Sequence, residues 1–294
     1  MKRGLALAAA LIVIIGVTIG VAVFAYARII SAIEGPTTTA TYSMKIGRLT
    51  RSWEVIAPTI ALPQSAPIIV VLTGKAASNG QEIRRDRLVP YVDAGKTELV
   101  YPLAIRQSWN AIGCCGAAAR HKVNDLGFLK ALVPRVDPGR ERPIYFVGYS
   151  NGGRMAYRLA CADPGLFSGM AAVKADPMPG CAIAKPENVL VVSSDDDPSI
   201  AYKPGQKGRE KPSATVQVAR LRSALGCAAP PTVAAYRNSV TVTTWPSCAD
   251  GKRLAWGVWQ SGGHDFPPPS AHAPGADQVI WSFVSKTAVA PIPH

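Results

Sequence analysis

Ile144-Tyr145-Phe146-Val147-Gly148-Tyr149-Ser150-Asn151-Gly152-Gly153 leads from four apolar residues into a glycine-flanked serine, and Arg154-Met155-Ala156-Tyr157-Arg158-Leu159-Ala160 follows with helical spacing. The stretch reads as a buried strand, a very tight turn and a helix, with Ser150 at the apex. A serine held at such an elbow takes a strained backbone conformation, and the flanking positions are glycine because a side chain there would clash. The same geometry lifts the hydroxyl out of the sheet and aims the first helical N–H groups at whatever approaches it. Gly-x-Ser-x-Gly alone is a weak signal; the strand before it and the helix after it give it meaning.

Outward from this stretch the chain alternates between strands and helices. Pro67-Ile68-Ile69-Val70-Val71-Leu72 and Asn188-Val189-Leu190-Val191-Val192 are continuous apolar runs, the pattern of central strands covered on both faces. Leu99-Val100-Tyr101-Pro102 is a further candidate strand, and Met44-Lys45-Ile46 with Arg51-Ser52-Trp53-Glu54-Val55-Ile56 reads as a pair. Val240–Thr244 and Leu254–Trp259 complete the strands, while Asn124–Val133, Ser213–Leu225 and Gln278–Ser285 carry helical patterns. Strands alternating with helices predict an α/β fold, a mostly parallel central sheet with helices on both faces.

The ends of the chain differ in composition from its middle. Leu5–Ala27 contains no charge and would reach about 34 Å as a helix, enough for a bilayer core. Lys2 and Arg3 precede it, which keeps the N-terminus in the cytoplasm and sends the remainder out. The length favours an uncleaved membrane anchor; Ala25-Tyr26-Ala27 offers the alternative of a signal peptide cut after Ala27. The expected organisation is therefore a signal anchor or signal peptide at 1–27, a stalk at 28–41 around Gly35-Pro36-Thr37-Thr38-Thr39, a catalytic domain at 42–286 and a flexible tail at 287–294. Six cysteines without a C-x-x-C pair suit structural disulfides in an exported chain better than a zinc site. Cys227 with Cys248 is the first choice of bridge and Cys161 with Cys181 the second, whereas the adjacent Cys114 and Cys115 are expected not to bond each other. A net charge of +13 without basic runs interleaved with aromatics reads as scattered solvating charge, and nucleic acid is not expected as a partner.

A serine at an elbow is inert until a base takes its proton. Of the four histidines, His294 is terminal, His272 lies in a Pro-rich loop and His121 in a basic stretch. His264 stands in Gln260-Ser261-Gly262-Gly263-His264-Asp265-Phe266-Pro267, directly after a predicted strand, where ligand sites of open α/β sheets gather. The acid that orients this histidine is sought in Ser193-Ser194-Asp195-Asp196-Asp197-Pro198, after another strand end. Asp197 is preferred because Pro198 restrains its backbone, with Asp195 second; Asp265 follows His264 too closely to orient its ring. Oxyanion stabilisation needs two preorganised donors, expected from the backbone amides of Asn151 and Lys75. Trp109 and Tyr149 are candidate pocket residues, Trp109 equally a core anchor, and no cofactor or metal is called for.

These motifs together resemble the secreted polyhydroxybutyrate depolymerase and feruloyl esterase group of α/β-hydrolases. The resemblance runs from about Gly47 to Phe283. It rests on Gly47-Arg48-Leu49-Thr50-Arg51-Ser52-Trp53, Trp109-Asn110, Cys114-Cys115-Gly116 and Val123-Asn124-Asp125-Leu126-Gly127-Phe128. Ser150-Asn151-Gly152-Gly153, Leu159-Ala160-Cys161 and Gly262-Gly263-His264-Asp265-Phe266-Pro267 add to it. It implies a Ser150, Asp197 and His264 triad acting on an ester substrate, small or polymeric. Three departures bear on the substrate: Leu72-Thr73-Gly74-Lys75 where the family has L-H-G-C, a run of three aspartates in the acid loop, and Phe266 in place of tryptophan. A tethered enzyme also suits transfer of an acyl group to an envelope acceptor, and an inactive hydrolase fold used for binding is the third reading.

Overall fold

The computed structural model describes residues 36–177, 188–206, 212–237 and 239–289. The segment expected at 1–27, most of the expected stalk and most of the expected tail lie outside them. Ten strands form one sheet among the described residues: β1 (Thr37–Ile46), β2 (Leu49–Pro58), β3 (Ile68–Leu72), β4 (Glu98–Pro102), β5 (Ile144–Tyr149), β6 (Gly169–Val173), β7 (Asn188–Ser194), β8 (Thr232–Tyr236), β9 (Val240–Trp245) and β10 (Leu254–Trp259). The helices are α1 (Asn79–Asp86), α2 (Val89–Asp93), α3 (Ala117–Arg120), α4 (Asp125–Val136), α5 (Asn151–Ala162), α6 (Ala214–Ala224) and α7 (Ala276–Ser285).

The strand order is β1-β2-β4-β3-β5-β6-β7-β10-β9-β8. From β4 to β10 the pairings are parallel, and antiparallel strands close both edges. Alternation explains why the central strands carry continuous apolar runs. Ile68, Val70 and Leu72 face a layer with Phe128 and Leu132 of α4, Met155 of α5 and Leu221 of α6. Ile69 and Val71 face the other layer, with Leu88 and Val92 around α2 and Val279, Ile280 and Phe283 of α7. Each of these strands thus supplies both cores, and a polar residue on either face must find a partner once buried. The chain leaves β3 toward β4 on one side and reaches β5 on the other, so the carboxyl ends of β3 and β5 flank a switch in winding direction, where a crevice opens.

Several expectations need correction. The expected stalk extends through residue 41, but β1 begins at Thr37 and pairs with β2 from Thr37 opposite Pro58. Its threonines are β-branched and suit a strand, yet most of this edge strand is exposed, so it lacks the apolar alternation that marks one in a sequence. The expected flexible tail is also held at its start: the Thr287 amide donates to Ser282 (3.1 Å) and Val289 packs on the α7 side of the core. Cys227 and Cys248 form a disulfide as expected. Cys114 and Cys115 are bonded to each other, contrary to expectation; the peptide between them is cis, which brings their Cα atoms to 3.1 Å. Cys161 is disulfide-bonded, and Cys181 lies outside the described residues.

Candidate active site

Ser150 stands between β5 and α5 with φ 51° and ψ −114°, a conformation that side-chain-bearing residues rarely adopt. The turn is tight enough that a Cβ on Gly148 would collide with the backbone of Gly152, and one on Gly152 with the Leu72 carbonyl. These two glycines let the elbow close and press against the end of β3. The Ser150 amide donates to the Val173 carbonyl of β6 at 2.8 Å, which ties the apex to the neighbouring strand.

Loops from two other strand ends meet at this serine. His264, in the loop after β10, places Nε2 3.0 Å from Ser150 Oγ. Its Nδ1 lies 3.0 and 2.9 Å from the two carboxylate oxygens of Asp197, in the loop after β7. Asp197 is buried, and its Oδ1 also accepts the amides of Ser199 (2.8 Å) and Ile200 (3.0 Å), so the carboxylate is oriented before the imidazole meets it. Asp195, the second choice for the acid, and Asp196 instead grip the histidine loop. Asp195 Oδ1 accepts the Ser261 amide at 2.9 Å, and Asp196 Oδ1 the Gly263 amide at 2.8 Å. Consecutive aspartates therefore bind consecutive parts of one loop. Asp265 is exposed, as are His121, which faces Arg106, and His272; His294 lies outside the described residues.

Asn151 is the first residue of α5, where the amide has no acceptor within the helix. Its buried side chain brackets one residue: Oδ1 accepts the Trp109 amide (2.7 Å) and Nδ2 donates to the Trp109 carbonyl (3.1 Å). Trp109 is wholly buried, with Nε1 donating to the Thr73 carbonyl at 3.1 Å. Of the two roles expected for Trp109, pocket residue and core anchor, its burial and contacts fit the core anchor, bracing the loop after β3 against the elbow. An indole is large enough to span the two loops and must satisfy its N–H when buried. Tyr149 is also mostly buried; its hydroxyl donates to the His264 carbonyl and its ring lies under the Arg85 guanidinium. Burial pushes the phenol up to about 12, against the pull of Arg85, so it stays a donor.

Glu82 is the contributor that sequence reading missed. Fully buried on α1, its Oε2 accepts the Gly74 amide at 3.2 Å and pairs with Arg85 at 3.0 Å. Burial raises its carboxyl, and Arg85 and the Gly74 amide act in the opposite sense. By accepting the Gly74 amide, Glu82 fixes the Thr73–Gly74 peptide, one residue before the amide of exposed Lys75. The available signal was Ser78-Asn79-Gly80-Gln81, a capping box present at the start of α1. Among the described residues no three His, Cys, Asp or Glu side chains converge to hold a metal ion. The arrangement can raise the nucleophilicity of one hydroxyl and present backbone donors to an oxygen beside it.

No protein-family model matches the chain. It is 29% identical over 260 residues to "Putative esterase NocK" of Nocardia uniformis subsp. tsuyamanensis, covering 79% of this chain and 74% of that protein. Among solved structures, an acetyl xylan esterase from Aspergillus awamori superposes with a TM-score of 0.59 at 11% identity, over 83% of this chain and 98% of that one. A glucuronoyl esterase from Solibacter usitatus gives 0.54 at 9% identity, over 85% and 81%. A thermostable esterase gives 0.51 at 13% identity over 77% of this chain, which spans only 55% of that protein's length. Structural likeness at such low identity speaks for architecture, and with a parallel sheet whose β5 ends in a strained serine elbow, the chain has the α/β-hydrolase fold.

Proposed function

We propose that the protein is a serine esterase that hydrolyses carboxylic esters through an acyl-enzyme. Ser150 Oγ attacks the ester carbonyl as His264 Nε2 takes its proton. The tetrahedral intermediate collapses as its C–O bond to the alcohol breaks, the alcohol leaves with that proton from His264, and the acyl group remains on Oγ. Water then attacks the acyl-enzyme with His264 again as base, releasing the acid and restoring the serine. Asp197 keeps the Nδ1 proton in place and stabilises the imidazolium, while the Asn151 and Lys75 amides hold the oxyanion. The observation that carries this reading is the 3.0 Å contact between His264 Nε2 and an elbow serine, made by an imidazole whose other nitrogen meets a buried carboxylate. The similarity to a protein described as an esterase supports it.

The finer reading is an ester of the kind taken by polyhydroxybutyrate depolymerases and feruloyl esterases, supported by the Trp-Asn, Cys-Cys-Gly and Ser-Asn-Gly-Gly motifs. Export belongs to the same proposal, supported by the charge-free Leu5–Ala27 run behind Lys2 and Arg3 and by the Cys227–Cys248 bridge. Intact mass of the native protein separates an anchor from a cleaved signal. Ser150→Ala is expected to remove hydrolysis of a short p-nitrophenyl ester and labelling by a fluorophosphonate while leaving circular dichroism unchanged; retained turnover would refute the assignment. A panel of short acyl, hydroxycinnamoyl and hydroxybutyrate esters then selects the substrate, and product analysis with an added alcohol separates hydrolysis from transfer.

A further inference from the structure

Lys174 is a buried cation that the proposed reaction leaves without a role. It directly follows β6, with φ 51° and 1% exposure, and its amide donates to the Val192 carbonyl of β7 at 2.9 Å. A lysine stem ordinarily carries its charge out to water, because burying an ammonium without compensation costs several kcal/mol. Here the stem runs inward. Nζ donates to Ser194 Oγ at the end of β7 and, at 2.9 Å, to the Gly263 carbonyl.

The ammonium sits in the seam between the acid loop and the histidine loop. Asp195, Asp196 and Asp197 act on it from the loop after β7, and Asp265 from the loop after β10, beside His264. Asp176, two residues along its own loop, is turned away into a pair with Arg154 of α5. Gly263 has φ 52° and no side chain, so it cannot position itself by packing. Both of its backbone groups are instead held from outside, its N–H by Asp196 and its C=O by Lys174. Gly262 beside it fits against Ser194 Oγ, where a Cβ would collide.

We propose that Lys174 is a positioning residue for the histidine loop: its ammonium joins Ser194 to the Gly263 carbonyl and so holds the His264 imidazole in line between Asp197 and Ser150. The proposal rests on the serine-esterase reading. Burial draws the lysine down to about 8 against the opposing pull of Asp197 and the neighbouring aspartates, so its charge is present at neutral pH and is lost as pH rises through that value. The charge-assisted hydrogen bond to Gly263 weakens with it.

The test is the rate of Ser150 labelling by a fluorophosphonate, with kcat/KM for a p-nitrophenyl ester, from about pH 6 to pH 10. It compares the full chain with Lys174→Met and Lys174→Arg. Wild type is expected to lose rate above about pH 8, in step with the titration of the Lys174 ε-carbon followed by NMR. Lys174→Met is expected to be about tenfold to a hundredfold slower at neutral pH and to lack that alkaline fall. Lys174→Arg, a cation throughout the range, should move the fall upward. A wild-type rate that stays level to the top of the range overturns the proposal even if neither variant folds, as does an alkaline fall that departs from the lysine titration by more than about one unit. Lys174→Met with wild-type rate and profile overturns it as well. Absence of Ser150 labelling at every pH overturns the esterase reading itself, and this proposal with it.

Discussion

Asp197 differs from Asp195 and Asp196 in what its carboxylate faces. Both of its oxygens lie within 3.0 Å of the His264 ring, whereas its neighbours hold backbone amides. Asp197→Asn keeps an acceptor for the Ser199 and Ile200 amides but turns a donor toward Nδ1, which favours the wrong tautomer. Its kcat is expected to fall about ten-thousandfold with the fold retained. Asp195→Asn still accepts from Ser261 and should remain close to wild type. Equal losses from both substitutions, measured as ester turnover, would remove Asp197 from its assigned place.

At the scale of elements, a chain of buried polar contacts links β2 to the elbow. Arg51 of β2 pairs with Asp125 at 2.8 Å at the start of α4, and Asp125 Oδ2 accepts the Asn110 amide at 2.7 Å. Asn110 adjoins Trp109, whose backbone is bound by Asn151 of α5. Burial raises the Asp125 carboxyl and lowers the Arg51 guanidinium, and their mutual attraction opposes both shifts. Arg51→Met would leave Asp125 buried and unpaired; the expected loss is about 3 to 5 kcal/mol, read from urea midpoints. A second cluster lies on the opposite face, where Asp277 in the first turn of α7 is pushed up to about 6 by burial. The native state then binds more protons than the unfolded chain from about pH 4 to pH 6, so stability falls as pH rises through that window. Relative to Asp277→Asn, wild type should lose about 2 to 3 kcal/mol between pH 4 and pH 7. Parallel stability profiles for the two proteins would contradict the assignment. The motifs around Trp109, Asp125 and Arg51 were legible in sequence, but their common purpose was not, because the contacts join residues far apart in the chain.

Across the whole molecule, the sheet brings to one crevice loops that end β3, β5, β7 and β10. The six parallel central strands point their carboxyl ends the same way, so each following loop emerges on that side. Far from the crevice, Cys227 and Cys248 close a segment with a sequence separation of 21, containing β8 and β9 at the sheet edge. Replacing both by alanine should cost about 3 kcal/mol, chiefly by freeing the unfolded chain. Urea unfolding checks the loss, and ester turnover should remain because the edge hairpin carries none of the proposed catalytic groups.

Apolar continuity determined the central strands β3, β5 and β7, and glycine spacing determined the elbow, because both are local demands of backbone and burial that neighbouring residues must meet. Ser150, Asp197 and His264 could each be singled out from the strand end preceding it. β6 escaped notice because Gly169-Met170-Ala171-Ala172-Val173 has little strand character of its own and is held by β5 and β7. α1 escaped because its buried residues are Glu82 and Asp86 rather than apolar side chains. Only the tertiary structure decided that Trp109 is a brace, that Glu82 fixes the Thr73–Gly74 peptide, and that Asp195, Asp196 and Lys174 secure the loop bearing His264. Each of those roles depends on where a polar group finds its partner after burial, and the partners come from separate strands.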